Sequence, residues 1–198
     1  MMMAEATNHY FKHLGVSDGL SQVCIPSIYQ DELGAVWLGT TEGLNRYNGK
    51  DVKVFQPSES NHGLTNNEIN ELCGDKNGRM YIRSGNDLIK LDIYTEQFTC
   101  LRQKGVYGLF CKKDTLWVSC ADGIYYYTGQ GTELTFFARV QKGFVGRGLY
   151  VDKETVWVVT RKYLVAISRE DPLRQEILLT LDLSLIHISE PTRHAQIS

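Results

Sequence analysis

Residues Asp31 to Gly49 read DELGAVWLGTTEGLNRYNG, and the pattern returns three times in weakening form. Residues 75–92 read DKNGRMYIRSGNDLIKLD, residues 113–127 read KDTLWVSCADGIYYY, and residues 152–167 read DKETVWVVTRKYLVAI. Each copy opens on a polar turn and enters an apolar run that carries an aromatic: Trp37, Tyr81, Trp117, Trp157. A second polar turn follows, then a second apolar run: Leu44 to Tyr47, Leu88 to Leu91, Ile124 to Tyr127, Leu164 to Ile167. The aromatic anchors recur roughly every 40 residues, the length of one small sheet of short strands and turns.

That period predicts an all-β chain, a partial β-propeller of about four four-stranded antiparallel blades. The blades fall at about 23–57, 67–101, 106–138 and 147–181. The first divides into Val23 to Gln30, Val36 to Thr40, Leu44 to Tyr47 and Val52 to Gln56. Asn48-Gly49 is a strong hairpin signal, because both residues tolerate positive φ. Pro26 cannot donate to a ladder, so its strand is expected at a blade's inner edge. The anchors Trp37, Tyr81, Trp117 and Trp157 either pack between blades or offer ligand-stacking faces, and their recurrence with the period of the fold favours packing.

Composition narrows the function. Charged residues are 22% of the chain and the net charge is −2, so nothing electrostatic calls for nucleic acid or an anionic membrane as partner. No apolar run approaches the roughly 20 residues of a membrane span. No H-E-x-x-H, paired CxxC or P-loop is present, and no catalytic residue, metal ligand or cofactor is assigned. GFVGRG, with Gly143, Gly146 and Gly148, lacks phosphate-binding spacing and reads as an inter-blade loop. Five cysteines lie in or beside apolar runs and behave as small hydrophobes. In an oxidising compartment Cys111 with Cys120 is the pair most expected to join.

The two ends read differently. Ala4-Glu5-Ala6 matches a signal-peptidase site without an apolar segment before it, so residues 1–9 are either the end of a signal peptide or an ordinary polar N-terminus. Leu183 to Arg193 reads LSLIHISEPTR, which resembles the in-frame translation of a sequencing-library adapter, so residues 183–198 are expected to be non-native. His187 within it is therefore not expected to be a phospho-acceptor. Tyr10 to Leu14 is expected as a loose terminal strand, and the propeller, at 10–182, as an arc with an uncovered face at each end that promotes association.

Asp31, Gly34, Trp37, Gly39, Thr40, Gly43, Leu44, Arg46 and Tyr47 occupy D-x-x-G-x-x-W-x-G-T-x-x-G-L-x-R-Y, and FKHLGVSDGLSQ precedes them. On these residues the chain resembles the two-component regulator propeller repeat family. The likeness covers about residues 10–181 and fades along the chain. It implies a fragment of the periplasmic propeller region of a carbohydrate-responsive hybrid two-component sensor kinase of an inner membrane, from a ring of about seven blades. The fragment would be non-catalytic and the kinase would lie elsewhere in the parent. Partners so implied are an oligosaccharide, the remaining blades and, in the parent, a second copy. Loops on a rigid scaffold carry binding, so the turns between second and third strands are the expected rim, with Arg83, Asn86, Arg161 and Lys162 as ligand contacts. The alternatives are an intracellular protein-interaction scaffold, which free cysteines would suit, and a propeller-fold lyase, which would need a His, Tyr or Arg cluster.

Overall fold

The computed structural model describes residues 13–57, 63–102, 104–140 and 145–180, with the side chains of 145–147 left aside. Among these residues, sixteen strands form four antiparallel sheets of four. Blade 1 holds β1 (Ser27–Gln30), β2 (Val36–Thr40), β3 (Gly43–Tyr47) and β4 (Val52–Phe55). Blade 2 holds β5 (Ile69–Gly74), β6 (Arg79–Ser84), β7 (Asp87–Asp92) and β8 (Gln97–Arg102). Blade 3 holds β9 (Val106–Lys112), β10 (Thr115–Cys120), β11 (Gly123–Tyr127) and β12 (Thr135–Ala138). Blade 4 holds β13 (Val145–Val151), β14 (Thr155–Thr160), β15 (Tyr163–Ser168) and β16 (Gln175–Thr180). Every sheet is a simple meander, with each strand pairing its sequence neighbours. The helical turn among the described residues is a 3-10 turn at Val16–Asp18. The chain divides into two compact units, residues 1–100 and 101–198.

In the first unit the two sheets share one core. The second-strand positions facing blade 2 carry Trp37 and Gly39, and the opposing row of blade 2 is Leu72, Ile82 and Ile89, paired across β5, β6 and β7. Trp37, Leu44, Ile69, Met80, Ile82, Ile89 and Leu91 are wholly buried there. Alternation decides this: successive side chains of a strand leave on opposite faces, so a blade offers an aromatic row to one neighbour and an aliphatic row to the other. The second unit repeats the rule. Trp117 and Ile124 of blade 3 pack with Val158, Val165 and Ile167 of blade 4, and Phe110 and Tyr126 border the same cluster.

Within the first unit, no sheet among the described residues packs on the aliphatic side of blade 1. The row there is Ile28, Leu38, Asn45 and Val54, in register across all four strands. Its flanks stay open, Ile28 at 63% exposure and Val54 at 39%, while Leu38 and Asn45 are buried. The segment after the 3-10 turn covers the middle. Ser21 donates its backbone N–H to Asn45 Oδ1 at 2.9 Å and its hydroxyl meets Thr40 Oγ1 at 2.8 Å. Leu20 is buried beneath it. The D-G-L-S resemblance therefore has a physical basis: Asp18 Oδ2 accepts the Gly15 N–H, Gly19 turns the chain at φ 104°, and Leu20 and Ser21 dock.

Close approach explains Gly39. A Cβ there would lie 2.8 Å from Ile69 Cγ2 and 3.1 Å from the Ile69 carbonyl oxygen. Gly39→Ala forces β2 and β5 apart, and the expected cost is about 1–3 kcal/mol, the usual range for overpacking a filled interface. Thermal unfolding followed by circular dichroism measures it.

Several expectations change. Strand β1 begins at Ser27, so Pro26 precedes the ladder instead of sitting in it. No edge position is needed to excuse it. Cys111 and Cys120 are not a disulfide pair: Cys111 faces Leu116 while Cys120 faces Val106 in the same ladder. Four residues of strand separate them, about 13 Å at 3.3 Å per residue, well beyond the reach of a disulfide. None of the five cysteines is in a disulfide, and burial pushes the Cys120 thiol up to about 12, against a smaller opposing pull from Arg102. The terminal strand expected over 10–14 lies outside the described residues but for His13 and Leu14, which have no regular structure. GFVGRG falls partly there as well, but its described part is strand: Gly146 and Gly148 belong to β13.

Candidate functional site

The repeat signature resolves into a capped turn tied to its aromatic anchor. Asp31 is buried between β1 and β2, and its Oδ1 accepts the backbone N–H groups of Leu33 at 3.0 Å and Ala35 at 2.9 Å. Its Oδ2 accepts the indole N–H of Trp37 at 2.8 Å. Blade 4 repeats the device: Asp152 accepts Glu154 and Thr155 backbone N–H groups and, at 2.8 Å, the Trp157 indole N–H. In blade 2, Asp75 caps the turn and its second oxygen pairs with Arg79, the residue change that accompanies Tyr81 in place of tryptophan. Thr40 accepts the Glu42 N–H and donates to the Gly43 carbonyl, closing the next turn. Arg46 lies 5.5 Å from the Trp37 ring centre and pairs with Glu96 at 3.3 Å. Tyr47 donates its hydroxyl to the Gly49 carbonyl at 2.6 Å. The motif thus builds blades, and its side chains are committed to the protein.

Turns between second and third strands differ from the motif in what they leave open. Strand β6 runs to Ser84, so the turn itself is Gly85 and Asn86. Asn86 is exposed at the tip. Arg83 is not a turn residue but a buried strand residue, 4% exposed. Its Nε donates to Glu71 Oε2 at 3.4 Å and its Nη1 to the Gly85 carbonyl at 3.1 Å. The sequence reading counted Arg83 in the turn, but the strand continues through Ser84, and the guanidinium buttresses the turn from behind. Asn70 reaches the same Gly85 carbonyl at 3.2 Å. In the second unit Arg161 and Lys162 are exposed at the corresponding turn of blade 4, where Thr160 Oγ1 accepts the Lys162 and Tyr163 backbone N–H groups.

The second unit presents a cluster that sequence reasoning missed. Arg102 pairs with Asp122 at 2.7 Å and lies 4.6 Å from the Tyr125 ring centre, while the Tyr125 hydroxyl donates to Asp122 at 2.7 Å. Arg102 and Asp122 are twenty positions apart, and nothing in their spacing signals the contact. Burial opposes ionisation of Asp122, but the bonds from Tyr125 and Arg102 outweigh it and hold the carboxyl below its usual range. Asp152 is also depressed, chiefly by the Trp157 indole N–H, and Asp92 by the Thr95 backbone N–H. A folded-state pKa below the unfolded value stabilises above the unfolded pKa and is lost as pH falls through the folded one. Stability is therefore expected to hold at neutral pH and to decline as pH drops below about 4. Chemical melts across that range test this, and Asp152→Asn should flatten the acid slope.

Among the described residues no group of three or more His, Cys, Asp or Glu is placed to hold a metal ion, and no helix is long and apolar enough to cross a membrane. His13 is the described histidine, and it is exposed. His9, His62, His187 and His194 lie outside the described residues.

The model of the two component regulator propeller family matches residues 19–42, the span that docks Leu20 and carries Asp31 and Trp37. Over 55 residues the chain is 38% identical to histidine kinase P4 of Formosa agariphila, a match to 28% of this chain and 4% of that protein. Among solved structures, it is similar to the extracellular domain of BT3049 from B. thetaiotaomicron, described as a hybrid two component system. That likeness has a TM-score of 0.70 and 21% identity, over 85% of this chain and 26% of that one. The corresponding domain of BT4673 aligns with a TM-score of 0.61 and 21% identity, over 79% of this chain and 21% of that one. Virginiamycin B lyase from Staphylococcus aureus aligns with a TM-score of 0.59 at 10% identity, over 78% of this chain and 55% of that one. At such identities these structures show the fold, and one fold carries sensors and a lyase alike. The chain spans about a quarter of the sensor domains and a small fraction of the kinase it matches. The likeness to the two component regulator propeller family is thus carried by residues 19–42, which run from the docked Leu20 to the β2–β3 turn of the first of four propeller-type blades.

Proposed function

We propose that this chain is part of the propeller region of a hybrid two-component sensor kinase, that the region senses an oligosaccharide in the periplasm, and that it is itself non-catalytic. The observation that carries the reading is the repeat at residues 19–42, seated in a fold whose structural neighbours are extracellular domains of two-component systems. The repeat residues are consumed by architecture, so recognition falls to the turns they hold out. Asn86, Arg161 and Lys162 are exposed there and offer donors to sugar hydroxyls or a carboxylate. Arg83 acts behind Asn86 by fixing the Gly85 carbonyl. In the parent, further blades and a second copy complete the assembly, and rearrangement of packed domains passes the signal inward.

Calorimetric titration of the intact sensor region with a panel of neutral and uronic-acid oligosaccharides tests the proposal. Alanine at Asn86, Arg161 or Lys162 is expected to weaken binding by about 0.5–3 kcal/mol, the larger losses at the charged positions. Unchanged affinity in all three variants removes these turns from the site and leaves the propeller a structural relay.

A further inference from the structure

We propose that the second unit holds a separate binding site for a small ring bearing a carboxylate, in the cleft between blade 3 and the β15–β16 turn. The cleft encloses about 330 Å³ and is lined by Thr115, Trp117, Tyr126, Thr128, Phe137 and Arg169. Its chemistry stands out against the equivalent place in the first unit. There, Trp37 faces Arg46 across the β2–β3 ladder, and Glu96, from the β7–β8 turn of the next blade, pairs with Arg46 and Lys53. Aromatic, cation and carboxylate all come from the protein.

In the second unit Trp117 faces Tyr126 across the β10–β11 ladder, so the arginine of the motif is replaced by a tyrosine. The cation comes instead from the next blade's turn: the Arg169 guanidinium lies 5.5 Å from the Trp117 ring centre. Its Nη1 is anchored by the Asp152 and Lys153 carbonyls at 3.1 and 3.0 Å. Among the described residues no carboxylate pairs with it. The role that Glu96 fills in the first unit is therefore open here. A guanidinium held by one nitrogen keeps its remaining donors for a bidentate carboxylate.

The walls suit a ring. Trp117, itself almost buried, meets Tyr126 at 5.6 Å and Phe137 edge-on at 5.0 Å between ring centres, so the half-buried Tyr126 and Phe137 supply the aromatic walls. The volume lies near the small end of ligand pockets, enough for one ring and not for an extended chain. Thr115, Tyr126 and Thr128, three hydroxyl-bearing residues, are in the lining and can supply hydrogen bonds to polar substituents. A uronic acid and an aromatic acid share the chemistry that this site would recognise. The site shares no residue with Asn86, Arg161 or Lys162, so its failure leaves the proposed function standing.

The test is calorimetric titration of the full chain with galacturonate and with benzoate, each beside its uncharged counterpart, galactose and benzyl alcohol. Expected is saturable binding of at least one acid, with the counterpart about tenfold or more weaker. Arg169→Gln should weaken the acid by about ten- to a hundredfold, as for a lost charged hydrogen bond, and Arg169→Lys should restore part of it. Galacturonate alone binding marks a sugar acid site, and benzoate alone an aromatic acid site. Equal binding of acid and counterpart, no saturable binding of either acid, or unchanged affinity in Arg169→Gln overturns the proposal. Thermal melts check the fold of each variant. If Arg169→Gln unfolds, Tyr126→Phe and Thr128→Val carry the test, and unchanged affinity in both overturns it.

Discussion

Trp37→Ala is expected to cost the first unit about 3–5 kcal/mol, the range for truncating a fully buried large aromatic. Trp37 has no exposed surface and sits in the core that joins blades 1 and 2. It stacks on Phe55 at 5.7 Å between ring centres, and Phe55 in turn meets Phe98 edge-on at 5.6 Å. Removing the indole opens a cavity at the sheet–sheet contact and leaves the Arg46 guanidinium without the ring it covers. Trp157→Ala should cost less, because Trp157 is only partly buried. Urea unfolding of the two variants gives the comparison, and an equal loss at both positions would mean that burial at the anchor does not set blade stability.

The second large effect is coupling between Asp31 and Trp37. Asp31→Ala removes one buried carboxylate that serves three donors, two in the turn and one on the indole. Hydrogen bonds to a charged group contribute about 1.5–3 kcal/mol, and the abandoned Trp37 N–H is buried with water excluded. The expected loss is about 2–3 kcal/mol. Trp37→Phe removes that donor, so a double variant should lose less than the sum of the singles. A coupling of about 0.5 kcal/mol or more is the expected result for two groups in one bond network. Strict additivity would show that Asp31 acts on the turn alone. Asp152 with Trp157 should show the same sign of coupling, since the two bonds join the same groups at the same 2.8 Å.

These experiments address the part of the protein that was readable in one dimension. The spacing of Trp37, Tyr81, Trp117 and Trp157 predicted four sheets of four strands, and the four sheets form with the anchors on their second strands. Local chemistry suffices for that, because each blade is a meander whose turns follow from Gly, Asn and Asp at short range. Yet one local repeat escaped notice: Gly63-Leu64-Thr65 before blade 2 parallels Gly19-Leu20-Ser21 before blade 1. Leu64 is buried in the first unit's core as Leu20 is buried on blade 1. Asn66 exchanges hydrogen bonds with Ser84 as Ser21 does with Asn45 and Thr40. The signal was there, but a glycine and a leucine in a polar stretch carry little pattern.

What the sequence determined by itself was the class, the strands, the repeat and the capped turn, all set by contacts within a few residues. Tertiary structure alone decided which side chains are spent and which are free. Arg83 and Asn86 are three positions apart and looked alike as donors, yet the first is walled in by Glu71 and the Gly85 carbonyl and the second stands in solvent. Cys111 and Cys120 lie on neighbouring strands, yet register holds them apart. Arg169 reaches Trp117 from a turn of the following blade, across a distance in sequence that no period encodes. Burial, register and inter-blade contact depend on which face of a strand meets which neighbour, and that is settled only when sheets pack.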